Sequence, residues 1–154
     1  MDLKEFFQAV LPVGEGWTPI ILKGPMGGLT NFRWFELPTQ FDKMVAYAES
    51  NADLDVYYSP FLYTKPPALS NTRHAAKDNV TKAVCVWADG DDCPTDKLKV
   101  QPNIIVQTSE KHWQGYWLLT DANDLSNDML EALSRGLYEH HKNDGMDRGW
   151  PLSK

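Results

Sequence analysis

The apolar run over residues 83–88, followed at once by Asp89-Gly90-Asp91, constrains this chain more than any other feature. The run is rich in Val and Trp and is closed by Gly90, which predicts a buried β-strand. Residues two apart share a face of a strand, so Asp89 and Asp91 are expected to point the same way. Two carboxylates this close repel each other unless a cation such as Mg²⁺ or Mn²⁺ neutralises them. The alternative interpretation is an ordinary turn, because Asp and Gly are frequent turn residues.

Length and composition indicate one globular domain, or a large piece of one. The 154 residues suffice for a hydrophobic core, and the formal net charge of −6 disfavours a protein that coats DNA through its overall field. The two cysteines, Cys85 and Cys93, do not have the spacing of a zinc site. The N-terminus has no signal-peptide pattern, and no apolar run approaches the length of a membrane span. We therefore expect a cytoplasmic protein with no membrane partner.

Hydrophobic periodicity predicts strands and helices interspersed without regular alternation, which favours an α+β fold. Helices are expected from Asp2 to about Val10, with an Asp2–Glu5 capping box, from Thr39 to about Ser50, with a Thr39–Asp42 box, and from Ser126 to about His141. Strands are expected over 17–22, 31–37, 55–58, 83–88, 103–108 and 114–120, the last two as a hairpin. Pro19 suggests an edge or early position. Residues 23–28 are expected to form a turn and 59–79 a loop.

Three segments follow one another in a recognisable order. The strand ending in Asp89-x-Asp91 precedes the hairpin segment 108–117, and the helix from Ser126 leads to Gly145-Met146-Asp147. This order resembles the catalytic core of the archaeo-eukaryotic primase superfamily, and it looks closest to the primase-polymerase domains of phage and plasmid replication proteins. The segment 56–58, Val-Tyr-Tyr, is similar to the N-terminal half of that family. The resemblance implies one catalytic domain over 1–154, with an N-terminal α/β half over about 1–80. It further implies a catalytic half over about 81–154, built on an RNA-recognition-motif-like antiparallel sheet with flanking helices.

The resemblance also implies the metal site. Asp89 and Asp91 match the metal-binding pair of the family's first motif, and Asp147 matches its third acidic ligand. These three catalytic residues would hold two Mg²⁺ or Mn²⁺ ions, of which one activates the attacking 3′-hydroxyl and the other bridges the incoming triphosphate.

The nucleotide contacts are implied in the same way, with one departure from the family. Ser109 matches the serine of the second motif, whereas the family's histidine falls on Gln114, which cannot carry a positive charge. His112 shares a face with Gln114 at strand alternation, and Lys111 can supply the missing charge. The implied nucleotide-binding set is therefore Ser109, Lys111, His112 and Gln114.

The activity implied is that of a DNA primase and DNA polymerase, in the host cytoplasm if the protein is phage-encoded. Its partners would be a DNA template and primer, nucleoside triphosphates, and a helicase domain on the same longer polypeptide. Family members continue after the third motif with a further strand, so we expect a C-terminally shortened domain. Two alternatives stay open: a metal-dependent nuclease, and a non-catalytic nucleic-acid-binding replication module with exposed aromatic residues on its sheet.

Overall fold

The computed structural model describes residues 1–23, 29–69, 72–120 and 125–147. Its chain divides into two compact units, residues 1–83 and 84–154. The described residues form three α-helices and two antiparallel sheets, which confirms the mixed α+β class. The primase-polymerase core and its two halves stay a prediction. No helix in these ranges is long and apolar enough to cross a membrane. The turn expected over 23–28 falls on residues 24–28, outside the described part, as does the chain after Asp147.

The first unit is a five-stranded sheet with two helices. Strand β1 (Gly16–Lys23) is central in this sheet. Strand β2 (Leu29–Leu37) lies on one side of it, and both β3 (Asp55–Tyr58) and β4 (Phe61–Tyr63) lie on the other, with β5 (Val80–Ala83) next to β4. The predicted capping box is confirmed, because the Asp2 side chain accepts from the Glu5 backbone and Glu5 reaches back to Asp2. In chain order the elements are α1 (Leu3–Val10), β1 (Gly16–Lys23), β2 (Leu29–Leu37), α2 (Phe41–Glu49), β3 (Asp55–Tyr58), β4 (Phe61–Tyr63) and β5 (Val80–Ala83).

Two local expectations for this unit are wrong. Pro19 lies in a central strand, at the point where the second neighbour of β1 changes from β4, paired at Trp17, to β3, paired from Ile20. A proline is tolerated there because that position needs no ladder hydrogen bond on that side. The second capping box is absent: the N-cap of α2 is Gln40, with no side-chain cap, and the Thr39 hydroxyl instead donates to the Glu36 carbonyl.

The segment expected as a loop over 59–79 contains a buried strand. All three residues of β4 are buried, and this strand pairs with β5. His74 has a structural position, since its Nε2 contacts the Thr64 carbonyl oxygen at 2.9 Å and its ring packs edge-on against Trp34. The segment expected as a loop is therefore partly folded onto the sheet.

The second unit is a three-stranded sheet in the order β6-β8-β7, together with helix α3. Strands β7 and β8 form the predicted hairpin. Ser126 caps α3 as predicted, since its hydroxyl accepts from the Met129 backbone at 3.2 Å. The elements are β6 (Cys85–Gly90), β7 (Ile104–Gln107), β8 (Trp113–Leu118) and α3 (Asn127–His141).

The spacing of Leu130, Leu133 and Leu137 predicts that they share one side of α3, but the buried side of the helix differs from this row of leucines. Leu130 is buried as predicted, but Leu133 is 45 % exposed. Ser134 and His141 are the other buried residues of the helix. The helix therefore uses a small residue and a histidine, rather than a row of leucines, to approach the rest of its unit.

Candidate functional site

The centre of the candidate site is the end of β6, where Asp89 faces Gln114. These residues are directly opposite each other on the antiparallel strands β6 and β8, so their side chains share one face of the sheet. The Tyr116 hydroxyl donates to Gln114 Oε1 at 2.9 Å. This bond occupies the amide oxygen, and the amide nitrogen of Gln114 carries the two donor hydrogens of that side chain. Gln114 can therefore donate to a phosphate oxygen.

Asp91 lies one residue beyond β6 and contacts the β7–β8 hairpin. Its Oδ1 is 2.9 Å from Nδ1 of His112, and the two side chains are about half exposed. Two of the residues predicted from different segments are thus in direct contact. The contact also holds the start of β8 against the loop that follows β6.

The hairpin between β7 and β8 turns at Glu110 and Lys111. Ser109 and His112 exchange backbone hydrogen bonds of 3.3 Å in both directions, which closes a two-residue turn. Ser109, Lys111 and His112 are all exposed. Lys111 therefore stands at an exposed hairpin tip, next in sequence to the histidine that contacts Asp91.

The chain after α3 returns to the same place. The Asp147 backbone N–H donates to the Asp89 carbonyl at 2.8 Å, and the Asp92 N–H donates to the Gly145 carbonyl at 3.4 Å. The segment thus runs antiparallel along the edge of β6 that β8 does not occupy. The chain beyond the helix therefore lies beside the Asp89 strand, although residues 145–147 do not form a strand of the sheet.

The donor set suits a hard divalent cation. Asp89, Asp91 and Asp147 supply only carboxylate oxygens, which Mg²⁺ and Mn²⁺ prefer. Across the described ranges, however, no three His, Cys, Asp or Glu side chains are grouped so as to hold an ion. The backbone places the three aspartates at the same end of the sheet. To bind a shared cation, their carboxylates would have to turn toward a common point. Asp91 would also have to exchange its contact with His112 for the cation. The metal and nucleotide assignments therefore stay predictions.

The aromatic residues of β8 belong to the core, as their hairpin position predicts. Trp113, Tyr116 and Trp117 are 5 %, 2 % and 6 % exposed. The indole N–H groups of the two tryptophans donate to the carbonyls of Cys93 and Val100. These rings fix the loop after β6 against the sheet and do not form an open stacking surface.

Sequence reasoning missed the residues that hold the returning chain. His141 and Met146 are each 3 % exposed, and His141 Nδ1 lies 3.3 Å from Asp144 Oδ2. Gly145, between them, has a positive φ of 99°. The signal that was available is a glycine two residues before the predicted acidic ligand, just after the end of a helix.

Comparisons of the chain with protein-family models, with curated proteins and with solved structures gave no match. The functional interpretation therefore depends on the site's own geometry and on the order of its segments.

Proposed function

We propose that this protein is a DNA primase and DNA polymerase of the phage or plasmid replication type, which adds nucleotides to a primer or to an initiating nucleotide on a DNA template. The observation that supports it is the convergence of three segments at one end of the β6-β8-β7 sheet. Asp147 donates its N–H to the Asp89 carbonyl at 2.8 Å, and the His112 ring lies 2.9 Å from the Asp91 carboxylate.

The chemistry assigned to the site is positioning and charge neutralisation. The carboxylates of Asp89, Asp91 and Asp147 would hold two Mg²⁺ or Mn²⁺ ions, which supply Lewis acidity for nucleotidyl transfer. Lys111 brings a mobile positive charge to the hairpin tip, where it can reach a triphosphate. Gln114 and Ser109 donate hydrogen bonds that orient the phosphates, and His112 adds a further donor once it leaves Asp91.

The burial of the β8 aromatic residues weighs against the non-catalytic alternative. A module that binds nucleic acid through its sheet needs exposed rings on which bases can stack. Trp113, Tyr116 and Trp117 are buried and hydrogen-bonded within their own unit. A nuclease keeps the metal site but has no use for a triphosphate, so Lys111 and His112 separate that alternative from a polymerase.

The experiment is an assay of primer extension and of de novo synthesis, with Mg²⁺ or Mn²⁺ and with both ribonucleotides and deoxyribonucleotides. We expect template-dependent products that lengthen with time. Shortening of the labelled primer without extension would indicate the nuclease. Binding of DNA with neither reaction, in a protein whose fold is verified by circular dichroism, would indicate the non-catalytic module.

The partners follow from the same proposal. The substrates are nucleoside triphosphates, a DNA template and a primer, and the protein would act in the cytoplasm, that of the host if phage-encoded. A helicase domain on the same longer polypeptide would supply the opened template.

A further inference from the structure

The turn that carries the chain from α3 to Asp147 has room for glycine alone at residue 145. Gly145 has a φ of 99°, a backbone conformation that residues with a Cβ adopt at a cost. A Cβ built there would lie 2.7 Å from the Asp92 carbonyl carbon and 2.9 Å from the Cys93 nitrogen. Both neighbours are backbone atoms of the loop that follows β6, so a rotamer change cannot relieve the overlap.

The residues on either side of Gly145 anchor this turn. Met146 is 3 % exposed and its N–H donates to the His141 carbonyl at 3.2 Å. His141 is itself 3 % exposed and contacts Asp144. The turn therefore has one buried side chain at each end, and the glycine between them touches the loop after β6.

The two backbone bonds beyond the anchor determine where Asp147 lies. The Gly145 carbonyl accepts from Asp92 and the Asp147 N–H donates to Asp89, so the segment is bonded on one side of Met146 to the loop after β6 and on the other side to β6 itself. The Asp147 side chain is exposed, and the backbone hydrogen bond of this residue to Asp89 places it beside that strand.

The geometry points to Gly145 as a positioning residue: the turn over residues 141–147, here called the C-terminal latch, sets the metal affinity of the site by holding Asp147 beside Asp89. This inference rests on the proposed function, because it takes Asp147 as a carboxylate ligand of the divalent ion. The inference makes the metal site depend on Gly145, a residue whose side chain has no atom that could bind the metal. Mutation of a residue that positions a metal ligand typically lowers metal affinity by about 10- to 100-fold.

The test compares Gly145→Ala with Gly136→Ala in the full chain. Gly136 is a matched control, since it lies in α3 and a Cβ there meets nothing within 4 Å. The first readout is amide hydrogen exchange without metal. We expect Gly145→Ala to lose protection at Asp147 and Asp92 and to retain it in β6 and β8, and Gly136→Ala to match the parent. Unchanged protection at Asp147 in Gly145→Ala would overturn the inference.

The second readout is Mn²⁺ affinity in a double-mutant cycle with Asp147→Asn. We expect Gly145→Ala to weaken Mn²⁺ binding about 10- to 100-fold, and to have no further effect once Asp147 is Asn, because the latch acts through that carboxylate. An effect of Gly145→Ala that persists in the Asp147→Asn background would mean a general structural role and would overturn the inference. Unaltered Mn²⁺ affinity in Asp147→Asn alone would overturn it as well, since the latch would then hold no ligand.

Met146→Ala keeps the inference testable if Gly145→Ala does not fold, because it loosens the same turn without requiring a Cβ at a positive φ. We expect the same non-additivity with Asp147→Asn, and full additivity would overturn the inference. Failure of the latch is distinct from failure of the proposed function. If Asp89→Ala loses nucleotide incorporation but Gly145→Ala binds Mn²⁺ normally, the latch alone is rejected. If Asp89→Ala incorporates nucleotide normally, the proposed function is rejected.

Discussion

Two side chains at the hairpin tip, Lys111 and His112, are expected to serve nucleotide binding. Lys111→Ala and His112→Ala should each weaken triphosphate affinity more than template affinity, because each removes a contact to a charged group. Such contacts are worth about 1.5–3 kcal/mol, or roughly one to two decades in affinity. Equilibrium titration with a fluorescent nucleotide measures this, and Glu110→Gln at the same exposed tip is the control. Parent-like nucleotide affinity in both alanine variants would remove the hairpin from the site.

Gln114 offers a separate test, since it stands where the resembled family has histidine. Gln114→His should fold and bind nucleotide at least as tightly as the parent. The neutral imidazole can accept from the Tyr116 hydroxyl that now bonds to Gln114, whereas the protonated ring gives up that bond and adds a positive charge beside the phosphates. The same nucleotide titration measures the affinity, with thermal unfolding as the control for folding. Weaker nucleotide binding in a variant of parental stability would show that the amide is needed as such.

The sequence pattern predicted the position of some site residues and not of others. The location of Asp89 at the end of a buried strand was accessible from sequence, because an apolar run and its closing glycine define that strand. The contact between Asp91 and His112 was not, because it joins a loop to a hairpin and depends on the length of both. The glycine at 145 signals a turn after the helix, but its close contact with the loop after β6 was not accessible, because that contact is a tertiary feature.

The pairing of β6 with β8 requires a glycine at residue 90, because the Trp113 ring packs directly against it. Gly90 is opposite Trp113, and a Cβ at Gly90 would overlap the Trp113 indole ring. Gly90→Ala should therefore lower the free energy of unfolding by about 1–3 kcal/mol, the usual cost of overpacking. Gly136→Ala, in an open position on α3, should instead raise it by up to about 1 kcal/mol. Urea denaturation measures both, and a Gly90→Ala variant as stable as the parent would contradict this packing.

The helices and the hairpin were predictable because their signals are local. The Asp2–Glu5 capping box, the Ser126 cap and the hairpin β7–β8 are each set by residues within a few positions of one another. Strand β4 was missed because it is three residues long, too short for a periodic pattern, and is stabilised by its neighbours β1 and β5. Pro19 was misplaced for a similar reason, since the change of partner beside β1 is a tertiary feature.

The whole protein should lose stability in alkaline solution, because each of its units buries an acidic group in the neutral form. Burial raises the pKa of Tyr63 to about 12 in the first unit and the pKa of Cys85 to about 12 in the second. Both groups ionise at lower pH in the unfolded chain, so the unfolded state binds fewer protons above about pH 9. Their stabilising contribution is complete below the unfolded values and is lost as pH rises toward 12.

Thermal unfolding measured from pH 8 to pH 12 checks this expectation. The midpoint temperature of unfolding should fall as pH rises above about 9, where Cys85 ionises in the unfolded chain. It should fall further above about pH 10, where Tyr63 does so. Cys85→Ala removes the contribution of the buried thiol and should flatten the lower part of the decline. A midpoint independent of pH up to 12 would contradict the burial of both groups.

The most direct measurement of the central claim is nucleotide incorporation by Asp89→Ala and Asp91→Ala in a primer-extension assay with Mn²⁺. Asp96→Ala, an exposed aspartate of the same unit, is the matched control. We predict that both site variants fold like the parent, as judged by circular dichroism, and incorporate no nucleotide, whereas Asp96→Ala incorporates at the parental rate. Parental incorporation by a folded Asp89→Ala or Asp91→Ala variant would contradict the assignment of this site to nucleotidyl transfer.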